Sequence, residues 1–123
     1  MRLECLLSRD KVAAGDDAEP DGRSVTVELA GEVADELQPI LLQILELDYL
    51  PRVAGPACWG AVSNLPLGLV VGRSDLMMLR LSGARLADRL DRRGDALRIH
   101  FAYFGTAPPE IARRVMQSML YSD

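Results

Sequence analysis

Leu97, Ile99, Phe101 and Tyr103 recur at every second position, with Arg98, His100, Ala102 and Phe104 between them. A period of two sends successive side chains to opposite faces, and large apolar groups on both faces predict a central strand. A central strand needs neighbours on both edges, and the chain supplies them. Leu3, Cys5 and Leu7 alternate with Arg2, Glu4, Leu6 and Ser8, and Val25, Val27 and Leu29 alternate with Thr26 and Glu28. Residues 58–63 and 67–72 predict two short strands around Asn64-Leu65-Pro66, a hairpin turn in which proline fixes a dihedral. Residues 76–81 fit either a helical or a strand period and are assigned here as strand.

Between these runs the period changes. Leu37, Ile40, Leu41, Ile44 and Leu45 recur at three- and four-residue steps, which predicts a helix that either begins near residues 35–38 or kinks at Pro39. Glu32, Asp35 and Glu36 then fall at its N-terminus, where the helix dipole favours negative charge. Leu86 and Leu90, with Arg85, Arg89 and Arg92 on another arc and Gly94 as a C-cap, predict a short surface helix over residues 83–93. Pro108 and Pro109 start a last helix with a wide apolar stripe of Ile111, Ala112, Val115, Met116, Met119 and Leu120. Residues 9–23 lose hydrophobicity and read as a flexible acidic loop. The expectation is a single α+β domain with a largely antiparallel or mixed sheet of about five to six strands and about three helices packed on it. A chain of 123 residues buries roughly two-thirds of its extended surface, enough for a core without metal or disulfide support.

Charge is segregated. Residues 1–48 hold twelve Asp and Glu against four Lys and Arg, whereas residues 49–123 hold six against ten, so a net charge of −4 hides two opposed halves. Such a field steers charged partners without specifying chemistry. The N-terminal run is interrupted by Glu4, and no apolar run approaches the roughly 18 residues that span a bilayer, so a cytoplasmic protein without membrane contact is expected.

Several chemistries are disfavoured. Cys5 and Cys58 form no Cys-x-x-Cys and have no histidine close in the chain, so buried thiols are expected rather than a metal site. His100, the single histidine, sits mid-strand with no orienting carboxylate evident in the chain, which favours a partly buried structural role over general-base use. Lys11 lies in the acidic loop, a poor place for a Schiff base. No Gly-x-Ser-x-Gly, Walker, dinucleotide-binding, His-Glu-x-x-His or EF-hand spacing occurs, so no cofactor and no enzymatic activity are expected. Asp16, Asp17, Glu19 and Asp21 crowd one loop but lack the distal glutamate of a calcium loop. Arg85, Arg89, Arg92 and Arg93 interleave with Asp88, Asp91 and Asp95, which partly cancels their field and argues against nucleic acid. Trp59 is expected as a core anchor for its large area, and would become an interface hot spot if exposed.

The run from Trp59 through Asn64-Leu65-Pro66 to Gly68, then Ile99-His100-Phe101-Ala102-Tyr103-Phe104-Gly105 and a Pro-started terminal helix, resembles small bacterial immunity proteins, including those of contact-dependent growth inhibition. The resemblance implies a cytoplasmic, non-enzymatic protein that binds and blocks one cognate toxin domain, often a nuclease. The segregated charge suits an acidic surface offered to a basic partner, with Asp16, Asp17, Glu19, Asp21, Glu28 and Glu46 as candidate contacts. The alternative is a dimeric secretion chaperone or adaptor using an exposed stripe on Met116, Met119 and Leu120, and monomer and homodimer both remain open. A third class is an enzyme that pairs His100 with a carboxylate.

Overall fold

The alternating segments assemble into one mixed sheet in a computed structural model that describes residues 1–10, 22–50, 57–72, 75–79 and 86–119. Its strands are β1 (Arg2–Arg9), β2 (Arg23–Glu28), β3 (Cys58–Ser63), β4 (Leu65–Val71), β5 (Asp75–Met78), β6 (Arg92–Arg93) and β7 (Ala96–Gly105). Their spatial order is β2-β1-β7-β3-β4-β5, with the two-residue β6 also paired to β7. The strand with apolar groups on both faces is therefore central, flanked by β1 and β3. Only the β1–β7 pair is parallel among the described strands.

The pleat sorts the side chains into two layers. One face carries Leu3, Cys5, Leu7, Val25, Val27, Trp59, Ala61, Leu97, Ile99 and Phe101, and helix α1 (Leu37–Glu46) closes it with Leu37, Ile40, Leu41 and Ile44. Ile40, Leu41 and Ile44 are wholly buried, a burial that stabilises by about 1.5–3 kcal/mol for each side chain. A 3-10 turn (Val33–Asp35) leads into α1, and Pro39 is its third residue, where an amide has no partner within the helix, so the helix begins at Leu37. On the other face, helix α3 (Pro109–Met119) sets Ala112 and Met116 against Cys58, Leu69 and Leu79. α3 lies over β3 and β4, reaches Phe104 of β7, and does not extend over β1 and β2 among the described residues.

The sheet is mixed as expected but has seven strands in place of five to six, and the helix count also differs. Of the helix expected over residues 83–93, the described part is a single turn, α2 (Leu86–Arg89), after which Arg92 and Arg93 pair with Leu97 and Ala96 as strand β6. Gly94, with φ of 61°, is thus the turn of a hairpin rather than a helix cap. The Asp88, Asp91 and Arg92 spacing that suited a helix surface equally suits this exposed ribbon, because Leu90 alone is buried there. The hairpin before β4 is tighter than expected: Asn64 with φ of 61° makes the turn, and Leu65 and Pro66 already belong to β4, opposite Ser63 and Val62. The segment at 75–78 is a strand, as expected, while residues 80–85 lie outside the described residues.

Trp59 is a core anchor with no exposed surface, its ring 4.7 Å from that of Tyr103. Its indole N–H is buried without an acceptor among the described residues. Cys5 and Cys58 are buried free thiols.

Candidate functional site

Among the described residues, positions 22–50 hold six carboxylates, Glu28, Glu32, Asp35, Glu36, Glu46 and Asp48, and one cation, Arg23, at their start. Folding gives these acids different employment. Glu28, on edge strand β2, faces Arg2 across the β1 pair at 3.3 Å. Glu36 flanks the start of α1 and accepts the amide N–H of Ala30 at 3.0 Å. Glu32 and Asp35 are exposed beside the 3-10 turn, near the positive end of the helix dipole. Glu46 occupies the last turn of α1, which holds no basic residue, and there its charge opposes the dipole.

The outward side of α1 also carries large apolar groups. Leu42 on α1 is 41 % exposed and Leu47, which caps its C-terminal end, 42 % exposed, although the helix buries four residues. Exposed leucines beside Glu46, with further acids at the opposite end of the helix, reproduce the arrangement of apolar anchors within a charged rim. The helical period accounted for the inward residues only. Leu42 and Leu47 were legible as apolar residues that the core stripe has no room for, and that is the signal that identifies them.

Of the anticipated contacts, Glu28 lies on the sheet face turned away from α1 and Glu46 on α1 itself. Asp16, Asp17, Glu19 and Asp21 lie outside the described residues.

A second polar assembly sits on the sheet face opposite α1, beside β1 and β7. The parallel register sets Ser8 beside His100, with Ser8 Oγ 2.8 Å from His100 Nδ1. The other ring nitrogen, Nε2, lies 2.8 Å from Asp10 Oδ1, and Asp10 Oδ2 accepts the Tyr103 amide at 2.9 Å. An orienting carboxylate is therefore present, contrary to the expectation drawn from the chain. It went unseen because it is supplied across a parallel pair from 90 residues away. Desolvation alone would raise the Asp10 carboxyl, but the Tyr103 amide, the His100 hydrogen bond and the His100 charge outweigh it, so Asp10 titrates below the usual carboxylate range.

Among the described residues no three His, Cys, Asp or Glu side chains are grouped to hold a metal ion, and no helix is long and apolar enough to cross a membrane. No family model, curated protein or solved structure matches the chain.

Proposed function

We propose that this chain is a non-enzymatic protein-binding module of the immunity type, which neutralises a basic toxin domain by docking it on the outward side of α1. The observation that carries the reading is the pairing of exposed Leu42 and Leu47 with Glu46, a carboxylate that helix stability does not explain. Leu42 and Leu47 supply desolvated anchors. Glu46, Glu32 and Asp35 supply the field that attracts a cation-rich surface and selects it over others. Ser8 stands within regular strand rather than on the strained turn that presents a nucleophilic serine above a cleft, which favours binding over acyl transfer.

The test uses the product of the adjacent gene as partner. Glu32→Lys, Asp35→Lys and Glu46→Lys combined should slow its association by about tenfold or more and flatten the salt dependence. Leu42→Ala with Leu47→Ala should instead speed dissociation. Unchanged capture with an unchanged salt slope in the charge-reversal variant would overturn the assignment.

The second reading, a dimeric secretion chaperone or adaptor, is favoured by one observation. α3 turns Ile111, Val115 and Met119 outward, each nearly half exposed, while Met116 is wholly buried and Leu120 lies outside the described residues. The stripe is thus shifted by one helical position from Met116, Met119 and Leu120. Light scattering separates the readings: a homodimer that Val115→Glu dissociates supports the adaptor, and a monomer opposes it.

A further inference from the structure

The β1–β7 part of the sheet, away from α3 among the described residues, carries an assembly independent of the α1 surface. Leu6, Ser8, Arg23, Ser24, Arg93 and Arg98 bound an open concavity of about 400 Å³, within the range of small-ligand sites. Three arginines, Arg23, Arg93 and Arg98, are among the residues that line it. Among the described residues Arg23 and Arg93 have no carboxylate within ion-pairing distance, and Arg98 Nε reaches Asp91 Oδ2 only at 3.9 Å. The nearby Glu4 is occupied with the Ser24 hydroxyl, which donates to it at 3.0 Å. Like charges gathered in this way repel one another, and a bound anion relieves the repulsion while accepting several charge-assisted hydrogen bonds. A planar carboxylate fills one guanidinium fork. A tetrahedral dianion has oxygens enough for three.

We propose that this concavity binds a phosphate-type oxyanion and that His100 controls the grip through Ser8. The Asp10 carboxylate can only accept a hydrogen bond, so His100 Nε2 carries a hydrogen. In the neutral ring Nδ1 is then an acceptor, and the Ser8 hydroxyl spends its proton on it, leaving nothing to donate into the concavity. When the ring takes up a proton, Nδ1–H donates to Ser8 Oγ, which frees the Ser8 proton for the ligand and adds a positive charge behind it. The groups facing His100 are Ser8 on β1, Asp10 just after it, Val62 from β3, and Arg98 on its own strand. Anion binding and proton uptake at His100 therefore reinforce each other, and by linkage the effect is reciprocal.

Amide and histidine-ring NMR signals of the full chain, followed during titration with inorganic sulfate, test the proposal, because sulfate keeps its charge across the pH range. Saturable shifts are expected at Leu6, Ser8, Arg93 and Arg98, with tighter binding at about pH 6 than at about pH 8. Arg93→Gln with Arg98→Gln, both exposed positions, should weaken binding by roughly tenfold or more at both pH values. Ser8→Ala should retain binding and lose most of its pH dependence, and His100→Gln should abolish that dependence. Inorganic phosphate should compete with sulfate, and acetate at matched ionic strength should not. Absence of saturation, indifference to the arginine substitutions, or equal competition by acetate would overturn the site, and a pH dependence that persists in Ser8→Ala would overturn the serine switch. Toxin capture through α1 is read separately, so the two proposals fail independently.

Discussion

The side-chain amide of Gln43 grips the peptide of Glu28 from both sides, accepting its N–H at Oε1 and donating from Nε2 to its carbonyl, each at 2.8 Å. β2 is an edge strand, and an open edge is a template for unwanted pairing. A helix side chain thus takes the place of the missing strand and fixes α1 against the sheet. Gln43→Ala should lower stability by about 1–2 kcal/mol and hasten hydrogen exchange at the Glu28 amide. Gln43→Glu should cost more than Gln43→Ala, because a carboxylate cannot donate to the Glu28 carbonyl. Urea denaturation alongside amide exchange checks both.

Gly60 lets α3 approach β3. A Cβ built at that position would lie 2.7 Å from Met116 Sδ and 2.8 Å from Phe104 Cε2, closer than side chains tolerate. Gly60→Ala should therefore destabilise by about 1–3 kcal/mol, the range for overpacking, even though the strand conformation suits alanine. Met116→Ala leaves a cavity and costs about 2–5 kcal/mol alone. Combined with Gly60→Ala it should cost less than the two separate losses together, because the new methyl group occupies vacated space. A double-mutant cycle reads the coupling, and strict additivity would show that the helix simply moves away.

Asp10 makes stability depend on pH in a defined direction. Its folded pKa lies below the ordinary 3.8, so the folded state holds its proton less readily than the unfolded chain. The resulting stabilisation is fully present above 3.8 and is lost as pH falls through the lower folded value. Asp10→Asn should cost under about 1 kcal/mol at neutral pH, since the carboxylate is half exposed and screened, and the difference from wild type should vanish in acid. Denaturation curves of the two proteins across that range provide the check.

The thiols should be inert in the folded protein. Burial pushes the Cys5 thiol up to about 11, with Arg92 lowering and Glu4 raising it to lesser degrees, and burial followed by Glu110 raises Cys58. A thiol-disulfide reagent at neutral pH should label neither until denaturant is added, because only the thiolate attacks and neither sulfur is accessible.

The strands were legible because period two survives any pairing order: β7 was recognisable as central from Leu97, Ile99, Phe101 and Tyr103, with Phe104 on the opposite face. Pairing order was not legible, and the parallel β1–β7 register that joins Ser8 to His100 depends on contacts between distant parts of the chain. Residues 92–93 were misread for a physical reason, since Leu86 and Leu90 at a four-residue step suit a helix while the β7 edge offers Arg92 and Arg93 backbone partners that local propensity does not register. The acidic character of the first half was plain in composition, but the division of labour was not. That Glu28 is tied to Arg2 while Glu46 stands against the α1 dipole emerges only from the fold.

That last contrast yields a prediction in which stability and binding move in opposite directions. A carboxylate in the final turn of a helix is repelled by the negative end of the dipole, and α1 carries no basic residue there to offset it. Glu46→Lys should therefore stabilise the protein by about 0.3–1 kcal/mol, visible as a raised midpoint in thermal or urea unfolding. If Glu46 is retained for docking, the same substitution should slow association with a basic toxin domain, most strongly at low salt. Glu32→Lys, at the other end of the helix, reverses the first effect and keeps the second: it should lose stability and also slow association. A Glu46→Lys protein that is more stable and binds as fast as wild type would remove Glu46 from the interface and leave its unfavourable position without a functional account.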